Sequence, residues 1–244
     1  MGKELVKEAD KEVVPSYLKD IGGDGAEDIQ SDMITSSYIK LIQKTSKEFD
    51  EGTAKLGEFV DSVTSESYGV KFDVIVIKMS TTWKKFDDNN KFIGQSENGL
   101  TWDDADNTPL TKEEKWKSCF FEFYVIPLRN FRGGDIPIPN IVTFSGASFK
   151  GGKHLHNIIS RFVQMKSEPI YARNYCFYSE EKQGEKGKYV ELKTKVNDGF
   201  NLEEVVMACS KARKMIKDIV FNNSEVSQTN DFCPSTGGEV ADLD

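Results

Sequence analysis

Two kinds of side chain in this sequence could hold a polyanion with flat bases: aromatic faces and the cations set among them. Trp83-Lys84-Lys85-Phe86 puts two rings around two lysines. Tyr171, Arg173, Tyr175 and Phe177 alternate, so on a strand they share one face, with Ala172, Asn174, Cys176 and Tyr178 on the other. A wall of aromatics on a strand is also what a core looks like. Arg173 in its middle argues against full burial, because an unpaired buried guanidinium is costly. Just beyond it, the stretch to Lys195 is rich in lysine and includes Lys182, Lys186 and Lys188, while Lys150, Lys153 and Arg161 lie around a helix start whose free N–H groups favour phosphate. Single-stranded nucleic acid is held without sequence readout in this way, by cations along the backbone and rings stacked on bases.

Other chemistries lack their residues. Gly146-Ala147-Ser148-Phe149-Lys150-Gly151-Gly152-Lys153 resembles a phosphate loop, but neither frame keeps both glycines, the lysine and the hydroxyl. The only histidines, His154 and His156, are two apart and point to different sides of a helix, so they do not form a metal pair. Asp103-Asp104 with Asp106 lacks the glycine and terminal glutamate of a calcium loop. Cys119, Cys176, Cys209 and Cys233 are widely spaced with no CxxC, which suggests reduced thiols in a cytoplasmic compartment. The expectation is a non-enzymatic protein with no cofactor and no metal.

The chain of 244 residues has a formal charge of −8, which by itself argues against nucleic acid. Split by region the charge is −5 for residues 1–36, +2 for 37–221 and −5 for 222–244, with +5 concentrated in 145–221. Residues 1–36 therefore read as an acidic flexible arm, broken by Gly22-Gly23 and Gly25, and residues 222–244 as an acidic disordered tail with too little apolar surface to offset the cost of ordering. That tail, with Glu239, Asp242 and Asp244 near its end, could compete for a basic groove or recruit partners, a coupling that salt would weaken. No apolar run approaches the roughly 20 residues of a membrane span, and the first residues lack a signal-peptide core.

The elements that must position these residues follow from periodicity. Tyr38 to Ile42 reads as a strand, Gly57 to Val63 as another, and Tyr68 to Met79 as a strand apolar on both faces, running on through Trp83 to Phe86 with Lys91 to Gln95 as hairpin partner. In it Phe72, Val74 and Val76 face one way, and Ile75, Ile77 and Met79 the other. Residues 96–117 read as an insertion holding a short helix opened by a Thr111–Glu114 capping box. Cys119 to Leu128 and Ile141 to Phe144 are strands, Ser148 caps a helix to about Met165, Tyr171 to Tyr178 and Lys188 to Val196 form a hairpin, and a last helix runs from Asn201 to near Phe221. The fold class expected is mainly β (α+β), an OB-fold-like antiparallel barrel with one inserted helix and a C-terminal helix.

Certain turn and strand residues also carry a resemblance. Pro15-Ser16-Tyr17-Leu18-Lys19, Gly25-Ala26-Glu27-Asp28, Tyr38-Ile39-Lys40-Leu41-Ile42-Gln43, Gly57-Glu58-Phe59-Val60, Ser96-Glu97-Asn98-Gly99, Phe144-Ser145-Gly146-Ala147-Ser148 and Pro169-Ile170-Tyr171-Ala172 resemble a widespread group of phage-encoded proteins, over roughly residues 13–200. The chain departs from that group at Ser36-Ser37, where a proline is expected, and in lacking a terminal aromatic. The resemblance implies an OB-fold single-stranded DNA-binding protein that coats and protects DNA during phage replication or recombination in the host cytoplasm, with phage replication or recombination proteins as further partners. The alternative is a phage protein-interaction or assembly module on the same barrel.

Overall fold

The computed structural model describes residues 37–87, 91–131, 138–184 and 187–217. The acidic arm, the acidic tail and Lys186 lie outside the described residues. A small sheet is built from β1 (Ile39–Leu41), β2 (Phe59–Asp61) and β3 (Ser67–Gly69), with a one-turn helix α1 (Lys47–Asp50) between β1 and β2. The larger sheet holds β4 (Lys71–Phe86), β5 (Phe92–Ser96), β6 (Cys119–Pro127), β7 (Asn140–Phe144), β8 (Asn174–Gly184) and β9 (Gly187–Val196). Its order is β7-β6-β4-β8-β9, and every ladder is antiparallel. Helix α2 (Lys112–Lys117) precedes β6, α3 (Phe149–Lys166) joins β7 to β8, and α4 (Glu203–Lys217) follows β9.

β4 organises the sheet. Its first part, Lys71 to Ile75, pairs with β8, and its last part, Trp83 to Phe86, pairs with β5 on the same side. Its other side carries β6 from Val74 to Trp83. Both faces are covered, as the two-sided apolar pattern requires. On one, Phe72, Val74 and Val76 pack with Phe123, Phe144, Tyr175 and Phe177 beneath Leu155 and Ile159 of α3. On the other, Ile75, Ile77, Tyr124, Ile126 and Ile141 lie under Cys209, Ala212 and Ile216 of α4.

The ladder steps from Val76–Val125 to Lys78–Tyr124, leaving Ile77 as an extra residue. This bulge reverses the alternation. Met79, expected beside Ile77, therefore packs with the Phe72 set instead.

The expected barrel is not closed. The outer strands β7 and β9 share no ladder. β7 is continued by a single parallel bridge, Tyr38 to Ile141, and β9 is met by a side chain: Gln43 donates to the Val190 carbonyl at 2.8 Å and accepts from its N–H at 3.1 Å. The small sheet is held to β7 by the buried Asp61 carboxylate, which accepts from Ser37 Oγ (2.7 Å), Asn140 Nδ2 (2.8 Å) and the N–H groups of Val63 and Thr64. Burial alone would raise the Asp61 pKa, but these hydrogen bonds outweigh it and hold the carboxyl below its usual range.

Candidate nucleic-acid interface

The expected site residues fall into three groups: buried, paired and available. Lys84 is only 1% exposed, and its Nζ lies 2.5 Å from Glu122 Oε1 on the neighbouring strand. Ser80 Oγ is 3.5 Å from the other carboxylate oxygen. A buried ammonium is tolerated because this carboxylate answers it. Tyr175 is also buried, facing the core with Phe177, and burial pushes its phenol pKa up to about 12. Trp83 is fastened in place: its Nε1–H donates to the Lys115 carbonyl at 3.0 Å, and its ring sits where a Cβ on Gly99 would be, 2.6 Å away. The surface roles expected for Lys84 and Tyr175 are thus corrected, while Trp83 is half-buried. β-Alternation puts Lys84 and Tyr175 opposite partners far away in sequence. Phe86 is half-buried, in ring contact with Phe92 and Phe120, and Tyr171 is half-buried against the α4 side of the sheet.

Three hairpin lysines are paired. Lys182 stands 3.0 Å from Glu180, Lys188 3.5 Å from Glu181, and Lys193 contacts Glu191 and lies 3.9 Å from Glu180. The predicted tip spans residues 180–187, yet the ladder runs through to Gly184 and Gly187. Lys182 and Lys193 meet Glu180 and Glu191 two residues away on their own strands, and Lys188 meets Glu181 diagonally across the ladder. Arg173 precedes β8 and makes a two-pronged contact with Glu168 (2.7 and 3.1 Å), whose carboxyl this hydrogen bonding holds below its usual range.

The available residues gather where α2 meets the start of α3. The Thr111–Glu114 capping box forms as expected, with Thr111 Oγ1 accepting from the Glu114 N–H and the Glu114 carboxylate from the Thr111 N–H. In this otherwise charged helix Trp116 is 54% exposed. Lys153 Nζ lies 5.5 Å from its ring centroid, and Phe149 meets it edge-on at 6.2 Å. Phe149 rests in turn on Phe121, at 5.2 Å. Lys150 is exposed beside them; Lys85, at the same rim, belongs with the paired lysines, held by Glu114 at 3.7 Å and lying over the Trp102 ring. The buried Cys119 thiol nearby is raised to about 11 by burial, with Lys153 pulling the other way.

Two glycines set this arrangement. A Cβ on Gly152 would lie 2.5 Å from that of Phe144, and one on Gly151 would lie 2.7 Å from the Leu192 carbonyl. The pair that imitates a phosphate loop lets α3 press against β7 and β9. Ser148 stands at the helix start, but its Oγ accepts from the Leu192 N–H at 2.8 Å rather than capping α3.

Trp116 is not among the residues that sequence singles out. Its signal is an aromatic in a six-residue helix, KEEKWK, whose other members are all charged.

A family model described as Pam3 phage gp34-like protein matches residues 7–219 of the chain. No curated protein and no solved structure matches it.

Proposed function

The chain belongs to the Pam3 phage gp34-like family, a family of phage proteins, and from that premise we propose that it binds single-stranded DNA through the α2–α3 rim. The observation that carries the reading is Trp116, an exposed ring flanked by Lys153 and backed by Phe149. Exposing an indole face forgoes the stabilisation its burial would give, and a base can cover it. Lys150 and Lys153 supply charge for phosphates. The protein coats single strands during phage replication or recombination, without catalysis.

The connectivity supports this reading. With β4, β6, β7, β8 and β9 taken as the five strands of an OB barrel, Trp116 lies in the connection between the first and second strands. The β8–β9 tip joins the fourth and fifth. Those two loops flank the oligonucleotide in OB folds. The test is fluorescence anisotropy of labelled dT oligonucleotides at low salt: binding that falls with salt is expected, and no binding at low salt ends the reading.

A second reading, a protein-assembly module on the same sheet, is favoured by one feature of β4. On the side shared by β8 and β5, Val76 to Thr82 pairs with no strand among the described residues, and the Arg213 side chain donates there to the Ile77 carbonyl. An extended peptide could add there. A partner recovered equally well after nuclease treatment would favour this reading.

A further inference from the structure

Beyond the rim, α3 ends at a second aromatic feature. The Arg173 guanidinium is sandwiched between two rings, 4.9 Å from the Phe162 centroid and 4.2 Å from that of Phe200. Glu168 clamps the guanidinium through Nε and Nη2, so the stack is fixed before any ligand arrives. Phe200, its outer layer, is 64% exposed. One face of that ring rests on Arg173, so the ring is presented outward on a rigid support.

The helix relates this stack to the rim. Lys153, over Trp116, and Phe162, under Arg173, are nine residues apart, which is about 13 Å along the axis and about 180° around it. The two aromatic features therefore sit on opposite flanks of α3. Between the flanks lies the helix's exposed face, carrying Lys150, His154, Asn157 and Arg161. Neither Lys150 nor Arg161 has an acidic partner among the described residues, unlike Lys182, Lys188 and Lys193 of the hairpin.

We propose that single-stranded DNA crosses the exposed face of α3 between two stacking platforms, Trp116 at one flank and Phe200 at the other, with Lys150 and Arg161 neutralising the phosphates between them. This rests on the function proposed above and adds its path: α3 is the rail, and the Phe162–Arg173–Phe200 stack is its second end. Arg173 acts here through Phe200, as a positioning residue.

The experiment measures binding of labelled dT oligonucleotides to the full chain, using lengths from too short to reach both platforms up to well beyond them. Phe200→Ala is expected to weaken binding of the long oligonucleotides by about 5- to 150-fold, the worth of one stacked base. It should leave the shortest ones nearly unchanged, and Phe200→Trp should restore affinity. Lys150→Ala with Arg161→Ala should lower the slope of log K against log salt by about 0.7 for each phosphate left unneutralised. Wild-type binding by Phe200→Ala at every length, with Trp116→Ala still impaired, would overturn the path and leave the proposed function standing. Absence of binding by the wild-type chain would overturn both.

Discussion

In the β8–β9 hairpin, Lys182, Lys188 and Lys193 each lie within 4 Å of a glutamate, whereas on α3 Lys150 and Arg161 stand apart from any described acid. In the sequence both regions read as basic, and the hairpin reads as the more strongly so. Strand geometry separates them: Glu180 and Glu191 sit two residues from Lys182 and Lys193 on the same strands, and the ladder sets Glu181 diagonally across from Lys188, while the surface turn of α3 has no acid to offer. Exposed pairs of this kind contribute little to stability, about 0–1 kcal/mol, but they reduce the charge a ligand can find. Available charge is therefore set by neighbours along and across the strands as much as by composition. Lys84 and Lys85 are both paired but differ in depth at one residue's distance, the first buried against Glu122 and the second at the surface beside Glu114.

The largest effect that would sharpen this contrast is on the fold. Glu122→Ala leaves the Lys84 ammonium buried and unanswered, and should destabilise the protein by about 3–5 kcal/mol in urea unfolding. Replacing both residues by apolar ones of similar volume should be close to neutral. A loss under about 1 kcal/mol for the single change would mean that the pair is not isolated from water. At the rim the outcome should invert: Trp116→Ala should cost about 1–3 kcal/mol of oligonucleotide affinity, with stability unchanged within about 0.5 kcal/mol.

The contrast breaks directly if the hairpin binds as well as the rim. Lys182→Ala with Lys188→Ala should change affinity and salt slope less than Lys150→Ala with Lys153→Ala, read by anisotropy across a salt series. An equal or greater loss at the hairpin would show that its glutamates give way to phosphates. The smallest effect concerns pH. Because the folded Asp61 pKa is depressed, its contribution to stability is complete above the unfolded carboxylate value and is lost as pH falls through the lower folded one. Urea midpoints measured from about pH 5 downward should fall less steeply for Asp61→Asn than for the wild type.

Much of the fold is legible because it rests on local signals. The Thr111–Glu114 capping box, the two-faced run of β4 and the stripe Cys209–Ala212–Ile216 each appear where their spacing puts them. The bulge at Ile77 is not legible, since nothing local distinguishes it from the alternation it interrupts, and it moves Met79 to the other face. Nor is the fate of Lys84, which depends on Glu122, 38 residues away. The site reads less well than the fold for the same reason. Stacking and charge are surface properties, and Lys84 and Tyr175 are drawn inside by long-range pairing, while Trp83 is fastened half-buried against Gly99. Trp116 is left outside by a short helix with no apolar face to bury.

The most direct test of the central claim uses the chain's own fluorescence, because Trp102 is buried and Trp83 is packed on Gly99, leaving Trp116 as the exposed indole. Titration with dT oligonucleotide at low salt should quench the emission, and Trp116→Phe should abolish most of that quenching while keeping measurable binding by anisotropy. Quenching of the same depth in Trp116→Phe, or none in the wild type when anisotropy shows binding, would contradict a base stacked on Trp116.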